Sequence, residues 1–337
     1  MKITIQEVAK KANVSVATVS RVMNGNYPVK AETKERVMQV INELNYIPNI
    51  QARELTKQKS TAIGVVIPSI NNMFFTELIT GIEQTLKENS FSLILTCTND
   101  NFEEEKDCVN NLIARNVSGI IIATPSRKNI ESGFYKTLAE KLPIVFINSD
   151  QTDLNISCVS TDEASGAKSA LNYLKDHNHK HIIFVRGTDS YSYDLKENVY
   201  IDFMKNSADF DKPKIINIGN GNNTNTVDTT MNIFLNLLKD KSFTAVFTCN
   251  DLMAVGVLNA CKKMHINVPK ELSIIGYDNI PLCNFVEPKL TTIDQNMSEL
   301  GKNAAELLIE KIQCDNKYNK RIILYNSLVD RETVAKI

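Results

Sequence analysis

At the start of the chain, apolar residues recur at helical spacing. Ile5, Val8, Ala9 and Ala12 fall at i, i+3, i+4 and i+7, one stripe of an amphipathic helix. Thr4-Ile5-Gln6-Glu7 reads as its capping box, with the Thr4 hydroxyl and the Glu7 carboxylate each serving the other's backbone N–H. Asn13-Val14-Ser15 breaks the stripe, and Ser15 suits the N-cap of a second helix. That helix is predicted from Val16 to about Met23. Val19, Val22 and Met23 face inward; Val16, Ala17, Thr18, Ser20 and Arg21 lie on or near the other side. Gly25 and Pro28 end it. A third helix is predicted from about Ala31 to Leu44, with Val37, Val40, Ile41 and Leu44 as its inner stripe. Two short helices joined by a three-residue turn, with a third beneath, have helix-turn-helix geometry, in which the second helix enters the DNA major groove. A generic three-helix bundle has the same spacing.

From residue 61 the pattern changes. Short apolar runs read as strands at 62–67, 92–97, 119–123, 144–148, 182–185, 245–249 and 272–278. Helical stretches lie between them, at 75–88, 103–115, 163–176, 252–264 and 297–312. Near-continuous apolar strands alternating with helices predict parallel sheets covered on both faces. The run divides near residue 160, which predicts two similar halves with a cleft between them.

A length of 337 residues fits two or three such units. Charge is unevenly spread. Residues 1–60 hold ten Lys and Arg against five acids, a surplus of five positive charges. The whole chain is formally −1, so the remainder carries −6. A basic head on an acidic body is what a chain that meets a polyanion at one end needs. The seven cysteines are scattered and never in CxxC spacing, as expected of reduced thiols, several of them buried in strands. No run is long and apolar enough to span a membrane, and the first residues do not read as a secretory signal, so a cytoplasmic location is expected.

TIQEVAKKANVSVATVSRVMNG and NELNYIPNIQARELTKQKS (residues 42–60) resemble the headpiece and hinge of the lac repressor and galactose repressor family of bacterial transcriptional regulators. Val16-Ala17-Thr18 and the segment 22–26 are closest to its catabolite-control-protein-like members. In the body, GVVIPSINNMFF, VSTDEASGAKSALNYL, CNDLMAVGVLNA, NVPKELSIIGYDN and PKLTTIDQN resemble the family's signature segments. The resemblance implies an α/β fold: an N-terminal all-α helix-turn-helix headpiece over 1–48, a hinge helix and linker over 49–60, and two doubly wound parallel-sheet lobes of periplasmic-binding-protein type over 61–337. Lobe one would take about 61–160 and 293–322, and lobe two about 161–292 and 323–337.

It also implies roles. Thr4, Ser15, Thr18, Ser20, Asn24 and Tyr46 would contact or lie near phosphates. Val16, Ala17 and Arg21 would face base edges, with Arg21 suited to guanine. Leu55, with Ala52 allowing close approach, would be the apolar wedge of a minor-groove hinge helix. In the cleft, Asn250 and Asp278 follow strands and by resemblance are the main effector contacts; capping of the next helix or turn is the other reading of both. Phe74 and Phe75, at the end of a strand–loop, are suited to stack on a sugar face, and Asn148 follows a further strand. Lys196 stands where many sugar-responsive members carry arginine, and Val199 where they carry glycine, which puts a simple neutral-sugar effector in doubt.

The expected partners are therefore a double-stranded DNA operator, a small carbohydrate-type effector and a second copy of the chain. No heptads follow Ile312, so a homodimer is expected rather than a tetramer. A phosphorylated carrier protein is an alternative controller. It would need a basic patch on the helix MSELGKNAAELLIEK, which offers Lys302 but Glu306. A cytosolic sugar-binding receptor is the alternative from another class. Whether an effector induces or co-represses stays open. His177, His179 and His181 alternate before a strand, as on an exposed turn or, alternatively, a zinc site. Gly219-x-Gly221 lacks the third glycine of a dinucleotide fingerprint. No metal, cofactor or enzymatic activity is expected.

Overall fold

The computed structural model describes residues 3–25, 28–47, 60–149, 156–188, 190–206, 212–223, 225–240, 242–314 and 318–337. The chain forms two compact units, Met1–Ser60 and Thr61–Ile337.

The first unit is helical: α1 (Ile5–Lys11), α2 (Val16–Asn24) and α3 (Ala31–Glu43). Val8, Ala9 and Ala12 pack against Val19, Val22, Val37 and Val40 in one buried cluster, so the stripes read from spacing meet. Ile41 and Leu44 are half-buried at its border. Helix α2 ends on Gly25 at φ 67°, a left-handed cap that glycine adopts without a Cβ clash. The expected hinge helix, with Ala52 and Leu55, lies outside the described residues, as does the side chain of Asn24.

The second unit alternates strands and helices: β1 (Ala62–Ile67), α4 (Met73–Glu88), β2 (Ser92–Cys97), α5 (Phe102–Ala114), β3 (Gly119–Ala123), α6 (Arg127–Glu131), α7 (Phe134–Ala139), β4 (Ile144–Ile147), β5 (Ser157–Thr161), α8 (Glu163–Asp176), β6 (Ile182–Arg186), α9 (Tyr191–Lys205), β7 (Lys214–Asn217), α10 (Thr226–Leu237), β8 (Ala245–Thr248), α11 (Asp251–Lys263), β9 (Ser273–Ile275), β10 (Thr292–Asp294), α12 (Met297–Gln313), β11 (Arg321–Leu324) and β12 (Ser327–Val329). Two parallel sheets result, ordered β11-β5-β4-β3-β1-β2 and β7-β6-β8-β9. An antiparallel ribbon pairs β10 with β12. Strands covered on both faces are mostly apolar: every residue of β3, β4 and β8 is buried, and Thr248 is the one hydroxyl among them. In both sheets the strand order reverses once, between β1 and β3 and between β6 and β8. Doubly wound sheets open a ligand crevice at the carboxyl ends of strands beside such a reversal.

The lobes are interleaved in sequence. The chain crosses after β5, again around β10 and α12, and a third time after β11. Strand β11 pairs with β5 through Leu324↔Thr161, so the last crossing falls after Leu324, beyond the position near 322 expected from sequence. Helix α12 packs on α4 in lobe one. A Cβ added to Gly81 would collide with the Ser298 carbonyl, and one added to Gly301 with the Leu78 carbonyl.

Two local expectations are corrected. The helix expected from Phe75 starts two residues earlier, at Met73, so Phe74 joins Phe75 in the first turn of α4 rather than ending a loop, because the Asn72 side chain accepts from Phe74 N–H at 3.0 Å. His179 is not on an exposed turn. It is fully buried, with Nδ1 2.9 Å from Thr244 Oγ1 and Nε2 3.0 Å from the Ala335 carbonyl, tying the C-terminal segment to lobe two. Among the described residues no helix is long and apolar enough to cross a membrane, and no group of three His, Cys, Asp or Glu side chains is placed to hold a metal.

Candidate nucleic-acid interface and ligand cleft

The headpiece presents α2 by its first turn. Ser15 Oγ accepts from Thr18 N–H at 3.1 Å and lies 2.9 Å from Thr18 Oγ1, which fixes the start of the helix. Val19 and Val22 anchor the inner side. At 3.6 residues per turn, Val16, Ala17, Ser20 and Arg21 share the opposite side. Val16 is 40% exposed, Ala17 and Arg21 are exposed, and Ser20 and Thr18 are half-buried. The Thr4–Glu7 capping box forms as read, with Thr4 N–H donating to Glu7 Oε2 at 2.7 Å; these bonds hold the Glu7 carboxyl below its ordinary range. Tyr46 rests half-buried against the headpiece core. The result is a small rigid body with hydroxyls at the entrance of a helix and a methyl-rich surface with one guanidinium beyond it. Hydroxyls and amides at a helix start suit phosphate; methyls and a guanidinium suit base edges.

Between the two lobes of the second unit lies a cleft of about 980 Å³. Phe74, Phe75, Asn148, Lys196, Asn250 and Asp278 all line it. Their engagement differs. The phenylalanines are buried and meet edge to face at 5.1 Å, so most of each ring belongs to the core. Asn148, in the left-handed region at φ 51°, accepts from Thr161 N–H at 3.3 Å. Asn250 caps α11, accepting from Met253 N–H at 3.0 Å; its amide donates to the Gly221 carbonyl at 2.8 Å and to Tyr193 Oη at 3.3 Å. The capping reading of Asn250 is thus realised while the side chain still faces the cleft.

Asp278 sits at φ 120° and accepts from Gln295 Nε2 at 2.6 Å. Gln295 Oε1 in turn accepts from Thr161 Oγ1 at 2.8 Å, so one hydrogen-bond chain runs from β5 of lobe one through a crossover to lobe two. Burial, with the negative charge of Asp251 nearby, raises the Asp278 carboxyl well above the carboxylate range. Asp251 itself, behind the cleft floor, is pushed up to about 6 by burial, although Thr292 Oγ1 and Ile280 N–H donate to it at 2.5 and 2.9 Å. Lys196 is buried. Its ammonium donates to Ser192 Oγ at 2.8 Å and the Cys249 carbonyl at 3.3 Å, pairs with Glu163 at 3.4 Å, and lies 3.8 Å from the Tyr277 ring centre.

The cleft also contains groups that spacing did not point to. Asn72 Nδ2 donates across it to Asn222 Oδ1 at 3.4 Å, and Asn220 Nδ2 to Asp100 Oδ2 at 3.5 Å, bridging the lobes. Arg186 is clamped by Asp194 and Glu197. Beneath the Thr124–Lys128 wall, Glu105 accepts from Tyr135 Oη, Asn129 Nδ2 and Ser126 N–H at 2.6, 2.7 and 3.0 Å. Position was the available signal: Thr98–Asp100, Thr124–Ser126 and Arg186 all end or directly follow parallel strands.

Comparison with known proteins places this geometry. Residues 4–49 match the family described as bacterial regulatory proteins, lacI family, and residues 171–334 match the periplasmic binding protein-like domain. The chain is 35% identical to catabolite control protein A of Priestia megaterium over 312 residues, covering 91% of this chain and 92% of that one. It is 33% identical to the HTH-type transcriptional repressor PurR of Histophilus somni (strain 2336) over 345 residues, covering 99% of each. The lac repressor dimer bound to operator and the anti-inducer ONPF superposes with a TM-score of 0.87 at 26% identity, covering 99% of this chain and 100% of that one. A LacI family transcriptional regulator from Enterococcus faecium with bound ribose superposes at 0.70 and 29% identity, covering 82% of this chain and 99% of that one.

Proposed function

This chain belongs to the lacI family of bacterial regulatory proteins, and from that premise we propose a sequence-specific repressor that binds a pseudo-palindromic operator as a homodimer and senses a small carbohydrate-type effector in the interlobe cleft. Its relatives are transcriptional regulators, and it is one of them rather than an enzyme. The observation that carries the proposal is the outward side of α2. Apolar Val16 and Ala17 beside Arg21, on a helix whose start Ser15 fixes, give a surface that reads bases rather than merely meeting charge.

Control follows from the crossovers. Residues 1–48 act as the headpiece, 49–60 as the hinge and 61–337 as the sensor. An effector with different affinity for the open and closed cleft shifts the population between them. That shift changes how the two hinge segments meet, and with it the insertion of Leu55 into the minor groove. Structural relatives with bound ribose support a sugar-sized occupant. The carrier-protein reading finds less support: the exposed side of α12 carries Glu306, and Lys302 there already pairs with Glu299 at 3.3 Å.

The test is selection of duplexes from a random library with the purified full-length chain, followed by fluorescence anisotropy on the enriched site. Enrichment of an inverted repeat bound by two protomers is the expected result. Enrichment of a lone half-site bound by one protomer would remove the dimer reading, and no enrichment would remove the repressor reading.

A further inference from the structure

We infer that the effector of this cleft carries no net negative charge: it is an uncharged polyhydroxylated molecule or one bearing an amine, and neither a phosphate ester nor a sugar acid. The inference rests on the reading of the cleft as an effector site and narrows it to a chemical class.

An anion needs cations or unsatisfied N–H groups to replace its water. Seven carboxyl side chains line the cleft against four Lys and Arg; burial favours the neutral form of Asp278 and raises Asp100 and Glu105, and the cations nearest the floor are already committed. An ammonium has three donors. Two of those of Lys196 go to Ser192 Oγ and the Cys249 carbonyl, while the Glu163 carboxylate balances the charge at 3.4 Å without a hydrogen bond and the Tyr277 ring covers another side. The sequence-based doubt about a neutral sugar is thereby turned round: the lysine in the arginine position is neutralised from within. Arg186 has both terminal nitrogens on carboxylates, Asp194 at 2.7 Å and Glu197, and its Nε on the Gly187 carbonyl at 2.7 Å. Lys128 and Arg127 are exposed on the short helix α6, where Lys128 lies 4.4 Å from the Phe102 ring centre and Glu131 follows one turn on.

Helix starts are the other common source of anion affinity. Several helices begin at this cleft: α4, α5 and α11 are closed by asparagines and α8 by Asp162, while α6 and α9 start at Ser126 and Ser190 without a side-chain cap, α9 with Asp194 in its first turn. Asn72 caps Phe74 N–H at 3.0 Å, Asn101 caps Glu103 N–H at 2.8 Å and Glu104 N–H at 3.3 Å, and Asn250 caps Met253 N–H at 3.0 Å. Helix α5 adds three glutamates in its first turn. The buried part of the cleft also offers an acceptor. Glu163 lines the cleft, is 8% exposed, and its Oε2 accepts no hydrogen bond among the described residues, although Lys196 lies 3.4 Å away. A buried acceptor without a donor is satisfied by a ligand O–H or N–H and repels a phosphate oxygen. The amides of Asn148, Asn250 and Gln295 nearby both donate and accept, as hydroxyls do.

The experiment is a thermal-shift screen of the purified full-length chain against a metabolite library balanced between uncharged, amine-bearing and anionic members. It includes D-ribose, D-glucose, D-glucosamine, ribose 5-phosphate, glucose 6-phosphate and D-gluconate at constant ionic strength, with calorimetric titration of each hit beside its phosphorylated or oxidised counterpart. Stabilisation by uncharged or amine-bearing members, with the matched anion at least tenfold weaker, is expected. An anionic hit that binds as tightly as its uncharged parent overturns the inference while leaving the cleft a sensor. A library without any hit removes the sensor reading itself, and the inference with it. Glu163→Gln should narrow the uncharged-to-anionic ratio severalfold. The double change Asp194→Asn, Glu197→Gln at the partly exposed Arg186 clamp asks the same of a second site if the first variant fails to fold. A ratio unchanged in the folded variants overturns the electrostatic cause.

Discussion

Arg21 shares the outward side of α2 with Val16 and Ala17, and these three differ in what they can distinguish. Methyl groups separate thymine from cytosine weakly, whereas a guanidinium reads the two acceptors of guanine together. Arg21→Ala should therefore cost about 1–3 kcal/mol on the selected operator and relax preference at one base pair. Anisotropy against all single-base variants of the operator measures this; an equal loss on every sequence would make Arg21 a phosphate contact. Asp251 makes a prediction of another kind. Its carboxyl is pushed up to about 6 by burial, above the ~3.9 of an unfolded chain. Between these values the native protein keeps a proton that the unfolded chain has released, so this group's contribution to stability falls as pH rises from about 4 to about 6. Urea midpoints across that window should decline for the native sequence and decline less for Asp251→Asn. Equal slopes would show that the carboxyl titrates normally in the fold.

At the scale of elements, α4 and α12 approach closely where Gly81 and Gly301 face the partner's backbone. A methyl group at either position has no side chain to push aside, only a carbonyl. Gly81→Ala should destabilise the sensor unit by at least about 2 kcal/mol, toward or beyond the upper end of ordinary overpacking, read as a shift in urea midpoint at unchanged m-value; a shift under about 0.5 kcal/mol would mean that the helices separate easily. Elements were legible where burial and periodicity agree. Strands β1, β3, β4 and β8 announce themselves because both faces are covered and, Thr248 of β8 aside, every position is apolar. Strand β5, Ser-Cys-Val-Ser-Thr, was not read, although all its residues are buried. It lies between β4 and β11, and its hydroxyls are satisfied by partners distant in sequence, such as Gln295 for Thr161. Helix α9 was missed for a related reason. Its buried stripe is Tyr193, Lys196, Tyr200 and Met204. A lysine in such a stripe reads as solvated until Glu163 and the Cys249 carbonyl, more than thirty residues away on either side, are known to meet it. The cleft was half legible for the same cause. Asn250 and Asp278 follow apolar runs, but Glu163, Gln295 and Asn222 acquire their meaning only from the fold.

For the whole molecule, the cleft is a contest between bridges and openings. Asn222 Oδ1 accepts both from Tyr193 Oη of its own lobe, at 3.0 Å, and from Asn72 of the other. Asn222→Ala removes the cross-lobe bond, whose net worth is about 0.5–1.5 kcal/mol. Effector affinity should fall about two- to tenfold, and small-angle scattering of the effector-free protein should show a larger radius. Unchanged affinity and radius would mean that the bridge does not hold the lobes together. The acid–base imbalance belongs to this scale as well: the basic headpiece and the acidic body make operator affinity fall with salt while leaving effector affinity nearly level.

The threefold crossing between lobes also sets an order of manufacture. Lobe one contains the first strands to be made after the headpiece, yet its sheet is closed by β11 and covered by α12, among the last segments to leave the ribosome. At roughly 5–20 residues per second, the headpiece is complete tens of seconds before the sensor can be. Through that interval β5 presents an unpaired sheet edge and α4 an uncovered glycine face, both of which invite another chain. A nascent regulator therefore has its reading head before it has a finished sensor. Nonsense mutations late in the gene would leave that condition permanent.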